Sequence, residues 1–141
     1  MKPETSEWVD KAEADYHSAL LLLRARKHAN YDGACFHAQQ CAEKYMKAVL
    51  QEAGQAFDRT HDLSALLLVI AVINPMWTVL GPASQALSDY AVRFRYPGAS
   101  ADKALARDAV RACEMIRTHL RAYFTPRKRK RIKLSKRRRK R

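Results

Sequence analysis

The stretch Tyr31-Asp32-Gly33-Ala34-Cys35-Phe36-His37-Ala38-Gln39-Gln40-Cys41-Ala42-Glu43-Lys44, continued by Tyr45-Met46-Lys47-Ala48-Val49, decides the fold. Ala34, Ala38, Cys41, Ala42, Tyr45 and Val49 recur at three- and four-residue spacing, the period of one helix face. Cys35, Phe36 and Met46 widen that stripe until little polar surface is left. A helix apolar on most of its circumference belongs at the centre of a bundle. The pattern predicts this helix from about Asn30 to Ala53, stopped by Gly54, which can take the left-handed conformation that ends helices.

The segments on either side read the same way. Four glycines in 141 residues and no strict alternation of apolar and polar residues argue against strands. A first helix is predicted over about Ser6–Lys27, capped by Thr5 or Ser6, with Trp8, Ala12, Tyr16, Ala19, Leu20 and Leu23 inward. Arg24, Arg26 and Lys27 suit the negative end of its dipole. After a loop from Gln55 to His61, a third helix starts near Thr60–Asp62 and ends at Ile73, because a residue before proline disfavours helix and Asn74 precedes Pro75. Gly81-Pro82 is a second break. A fourth helix then covers roughly Pro82–Phe94, with Ala83, Leu87, Tyr90 and Phe94 inward. Pro97-Gly98 is a turn. Ser100 or Asp102 caps a fifth helix running to about Phe124, with Leu105, Ala109, Cys113, Ile116 and Leu120 on one face. The expected fold is all-α, an up-and-down bundle of four to five helices over residues 1–126.

Charge separates that bundle from the C-terminal tail. The chain has 27 lysines and arginines against 14 acidic residues, a net charge of +13. Residues 127–141 hold twelve of the basic residues and no acidic one, so the body is nearly neutral. Like charges with only Ile132 and Leu134 among them bury nothing, and this tail is expected to be disordered in free solution. Its Arg127, Lys128, Arg129, Lys130, Arg131, Arg137, Arg138 and Arg139 suit non-specific contact with nucleic acid or another polyanion. The tail has no aromatic residue to stack on bases, which argues against sequence readout. Alternatives are a localisation signal and a merely solvated extension.

Several function classes drop out. The longest uninterrupted apolar run, Ala65–Ile73, is nine residues, against about 20 for a membrane-spanning helix. No apolar stretch near Met1 resembles a signal peptide. Cys35, Cys41 and Cys113 are odd in number and lack CxxC spacing, so reduced thiols in a cytoplasmic protein are expected. Glycine-rich phosphate loops of the GxxxxGK[ST] and GxGxxG types are absent, as is a GxSxG elbow. No Glu-x-x-His pair occurs; Glu13–His17 and His37–Cys41 are both i, i+4, and two ligands make no site, so no metal and no cofactor is expected.

The motif segment, then Thr60-His61-Asp62-Leu63, then Arg95-Tyr96-Pro97-Gly98 together resemble the HEPN domain family, the "higher eukaryotes and prokaryotes nucleotide-binding" domains. The family pattern is an aromatic-His-Ala-Gln-Gln-x-x-Glu-Lys segment, a His-Asp-Leu helix start and an Arg-Tyr-Pro turn before the last helix. All three occur here in order, and the resemblance covers about residues 6–123. It implies a helical bundle, commonly a homodimer, often paired with a minimal nucleotidyltransferase in toxin–antitoxin-like systems. Some members are metal-independent endoribonucleases that carry Arg, four to six residues, then His. No arginine here is followed by His at that spacing. Arg111 and His119 come nearest, and eight helical positions turn about 80° away from alignment.

These residues are read as those of a binding module, a partner of a minimal nucleotidyltransferase or a binder of nucleotide or RNA, with catalytic residues unassigned. The positions singled out are His37, Gln40, Lys44, His61, Asp62, Arg95 and Tyr96. His37, Gln40 and Lys44 share a helix face at i, i+3, i+7, and Lys44 with Arg95 offers cations to a phosphate. The plainer readings are that Gln40 and Lys44 complete buried polar contacts, that Asp62 caps a helix and that the arginines after the fourth helix answer its dipole. Two alternatives stand beside the binding module: an endoribonuclease toxin with a degenerate site, and an RNA- or ribosome-associated protein acting through its tail.

Overall fold

In the computed structural model, which describes residues 1–125, the chain forms α1 (Pro3–Arg24), α2 (Tyr31–Glu52), α3 (Leu63–Ile73), a 3-10 helix (Pro75–Leu80), α4 (Gly81–Arg93) and α5 (Lys103–Phe124). There is no strand among the described residues, and none of their helices is long and apolar enough to cross a membrane. The expectations for the tail, Arg127 to Arg141, lie outside the described residues.

α2 is the axis of the bundle. It packs against α1, α3, α4 and α5 and is buried almost continuously from Ala38 to Leu50. Asn30 caps it, its side-chain oxygen accepting from the Gly33 N–H at 2.8 Å. Gly33 has no room for a Cβ, which would lie 2.6 Å from the Asn30 side chain and 2.9 Å from Leu22, so the turn from α1 into α2 closes only around glycine. At the other end Gly54 takes φ +68°. The Gly54 N–H donates to the Gln51 carbonyl at 3.2 Å and the Gln55 N–H to that of Leu50 at 2.9 Å, the paired bonds that satisfy a helix's last carbonyls.

Two helix starts match the predicted caps. The Asp62 carboxylate accepts from Ser64 and Ala65, and that of Asp102 from Leu105. The first helix departs from expectation. It begins at Pro3 rather than Ser6, with no side-chain cap, since proline's fixed φ is already helical and its missing N–H is one no helix can use. Thr5 is consequently a buried first-turn residue with its hydroxyl unpartnered. The helix also ends three residues before Lys27, Ala25 turning extended and His28 taking φ 53°. Between the breaks at Asn74-Pro75 and Gly81-Pro82 the chain does not lie slack. Asn74 caps a 3-10 turn that buries Trp77 and Leu80.

One polar junction fastens three helices. Glu13 of α1 receives two N–H bonds from the Arg117 side chain of α5, Nε to Oε1 at 3.1 Å and a second guanidinium nitrogen to Oε2 at 2.9 Å. It also accepts from the Tyr45 hydroxyl of α2. The Arg117 guanidinium lies 4.1 Å from the centre of the Tyr16 ring, and the Tyr16 hydroxyl donates to Glu114 at 3.0 Å. Burial by itself raises the Glu13 pKa, but the bonds from Arg117 and Tyr45 outweigh it and hold the carboxyl below its ordinary value. Burial and the Glu13 contact push the Tyr45 phenol up.

A carboxyl whose pKa is depressed by folding stabilises the fold fully above its unfolded-state value, and that contribution is lost as pH falls through the folded-state value. Glu13→Gln is therefore expected to cost about 2 kcal/mol at neutral pH. Urea unfolding of both proteins between pH 7 and pH 2 checks this, the gap between them narrowing below about pH 5.

Candidate functional site

α2 carries two polar clusters along its length, and the sequence-predicted residues divide between them. Near its start, His37 Nδ1 lies 2.8 Å from Asp15 Oδ1 of α1, and Lys44 Nζ bonds the other oxygen of the same carboxylate. Asp15 is buried and so bridges the two α2 residues expected to share a face. The carboxylate acceptor places the neutral ring's proton on Nδ1 and leaves a lone pair on Nε2, the arrangement that prepares an imidazole to take a proton. Gln40, lying between them, donates to the Gln39 side chain at 2.8 Å.

Interleaved with the first cluster along the same helix, the second cluster clamps the segment before α3. The buried Glu43 carboxylate meets His61 Nδ1 at 2.8 Å and Lys47 Nζ at 3.2 Å. Gln39 donates to Glu43 and to the His61 carbonyl, at 3.2 Å and 3.1 Å. Lys47 stands 5.7 Å from the centre of the Trp8 ring. Every charge here has its counter-charge within the cluster, which makes it a structural junction on which His61 rides with 71 % of its side chain exposed. Asp62 is engaged as the α3 cap.

The first cluster borders an open cleft of about 430 Å³ between the start of α2 and the end of α4. Asn30, Gly33, Phe36, His37, Tyr90, Phe94 and Arg95 are among its walls. Arg93 is held by Asp89 and lies 5.7 Å from the Phe94 ring centre. Arg95 has no ion pair among the described residues. The cleft's one acid, Asp32, accepts the Ala101 N–H at 2.6 Å and pins the loop before α5. His37 and Arg95 therefore meet across one cleft. The expected pairing of Lys44 with Arg95 is not formed: Lys44 lies outside the cleft walls, tied to Asp15. Tyr96 is likewise not part of the walls and is 66 % exposed beyond the helix end.

Asp15 was the residue that spacing did not single out. Its signal was an acid between Ala12 and Ala19 on the inward face of α1, where a charge must find a partner. Arg111 and His119 on α5 are engaged apart from each other, with Asp108 and with the Met115 carbonyl. Cys41, one turn from His37, faces Cys113 in the core, and that contact together with burial pushes its thiol pKa up. No three His, Cys, Asp or Glu side chains among the described residues are grouped to hold a metal ion.

Comparison with known proteins bears on the fold and the family. No curated protein matches the chain. The crystal structure of an archaeal HEPN homologue is similar to it at 26 % identity and a TM-score of 0.70, covering 89 % of this chain and all of that one. A crystal structure of a protein from Thermus thermophilus is similar in fold, with a TM-score of 0.74 at 21 % identity, covering 86 % of this chain and 98 % of the other. The profile of the HEPN domain matches residues 5–123, which include both polar clusters and the cleft, and the chain belongs to the HEPN domain family.

Proposed function

We propose that this chain is a HEPN binding module whose α2–α4 cleft takes a phosphate-bearing ligand, a nucleotide or an RNA strand, in a dimer that works beside a minimal nucleotidyltransferase partner. The observation that carries this is the meeting of His37 and Arg95 in one open cleft walled by Phe36, Tyr90 and Phe94. Arginine offers forked donors to a phosphate, and aromatic walls accept a base without selecting it. Family membership supports the partner half of the reading. The basic tail from Arg127 onward adds non-specific attraction to the same polyanion.

The Asp15–His37 bond favours a second reading, ribonuclease action with His37 as general base for the 2′-hydroxyl and Arg95 on the scissile phosphate. Labelled single-stranded RNA incubated in EDTA with the full chain, a chain ending at Thr125, and His37→Ala and Arg95→Ala variants separates the two. Retention without cleavage is expected, with Arg95→Ala weakening binding about tenfold in both chain lengths. Binding lost wholly with the tail and untouched by Arg95→Ala would end the cleft reading. Cleavage abolished by His37→Ala would install the nuclease.

The dimer has a face suited to it. Residues 63–88 contain no charged side chain. Leu68, Val72 and Met76 are 76, 84 and 78 % exposed on α3 and the 3-10 helix, with Val69, Ile73 and Val79 beside them. A two-fold contact sets a patch against its own copy, so like charges would repel; an uncharged apolar patch is self-complementary. Apolar exposure on this scale marks an interaction surface. Light scattering on a sizing column is expected to give twice the 16.1 kDa chain mass for the wild type and the single mass for Leu68→Glu/Val72→Glu.

A further inference from the structure

We propose that the cleft where α1 ends and α5 begins is a second ligand site, one for adjacent phosphate groups, whether of a nucleic-acid strand or of a free polyphosphate. Arg24 and Arg26 come from the end of α1 and the loop after it; Lys103 and Arg107, one turn apart, come from α5. These four cations border an open cleft of about 670 Å³, with Leu23 and Tyr31 as its apolar wall and no carboxylate among its lining residues. The site does not depend on the His37–Arg95 cleft, with which it shares no lining residue.

All four of these cations are without an ion pair among the described residues, and they share one concavity. Lys11, Lys44, Lys47, Arg93, Arg111, Arg117 and Arg121 each have a carboxylate partner. None of Arg24, Arg26, Lys103 and Arg107 has one among the described residues. The acids next to these cations in the chain are already engaged, Asp102 with the Leu105 N–H at 2.8 Å and Asp108 with Arg111 at 4.0 Å, and Asp32 is held by the Ala101 N–H at 2.6 Å.

Fold stability does not account for the placement. Arg24 suits the negative end of α1, but Lys103 and Arg107 stand in the first two turns of α5, at the positive end of its dipole. Cations there are unfavourable, and acids would be the stabilising choice. Four like charges around one concavity add mutual repulsion. An anion in the cleft offsets these terms, because the four cations and the positive end of the α5 dipole all attract it. The α1–α5 pair is antiparallel, Glu13 meeting Arg117 and Tyr16 meeting Glu114, so this cleft lies at the opposite end of α5 from Phe124. With 22 residues in α5, that separation is about 30 Å.

The test is amide NMR on the full chain, titrated in one arm with inorganic tripolyphosphate and in another with a five-nucleotide oligouridylate. Saturable shifts are expected at the backbone amides of Ala25, Arg26, Ala104 and Arg107, reduced at least tenfold in affinity by Arg24→Gln/Arg107→Gln. Saturation by the oligonucleotide alone assigns the site to nucleic acid, and saturation by tripolyphosphate alone assigns it to free polyphosphate. The rest of the variant's spectrum reports whether it folds, and Lys103→Gln serves in its place if it does not. Absence of saturable shifts at these amides in both arms, or shifts unchanged by the substitutions, would overturn the proposal.

Discussion

A helix buried on nearly every side must find a partner for each polar group it carries, and that constraint organises this bundle. α2 brings Gln39, Glu43, Tyr45 and Lys47 into the core with its alanines. Unpartnered, each would cost several kcal/mol of stability. Partners come from other elements as well as from α2 itself: Tyr45 finds Glu13 of α1, which Arg117 of α5 also holds, and Glu43 finds Lys47 one turn along α2 and His61 just before the α3 cap. The polar contacts thus fix which helix lies against which part of α2, while the apolar contacts supply burial with little preference for register.

The same constraint explains what could be read from the residues alone. The all-helical class, the central place of α2 and its stop at Gly54 were legible because they depend on local periodicity and on single-residue conformations. Asp62 and Asp102 were legible as caps for the same reason. The start of α1 was not, because two signals competed there and proline at the first turn prevailed over the hydroxyls beyond it. The 3-10 helix was missed because its stability comes from burying Trp77 and Leu80 against distant elements, not from its own spacing.

The candidate site shows a sharper version of that limit. The spacing of His37 and Lys44 put them on one face, and the structure keeps them there. Their meaning changed once Asp15 arrived from another helix between them, because a shared carboxylate turns Lys44 inward to an internal ion pair and fixes the tautomer of His37. Arg95, nearly sixty residues away in the chain, became the cation facing His37 instead. Neither relation is encoded in local pattern, since both depend on which helices pack together. Gln40, Lys44 and Asp62 make the internal contacts their plainer readings described.

What distinguishes the surface from the core is how charge is left over. Inside, the buried Asp15 and Glu43 and the half-buried Glu13 are matched: Glu13 by Arg117 and Arg121, Asp15 by His37 and Lys44, Glu43 by Lys47 and His61. Acids near the α2 and α5 starts are committed to backbone N–H groups, where they order the loops. The body is nearly neutral, so committing its acids to the core and the caps leaves cations uncovered at the surface. Arg95 in one cleft and Arg24, Arg26, Lys103 and Arg107 in another are the part of that remainder gathered around the turn that opens α2. A fold that needed only solubility would spread such charges apart to lower their repulsion. Their concentration in two concavities flanking one helix start is the arrangement expected of a surface shaped for anions, and it arises from how the described residues fold, before the tail adds its own charge.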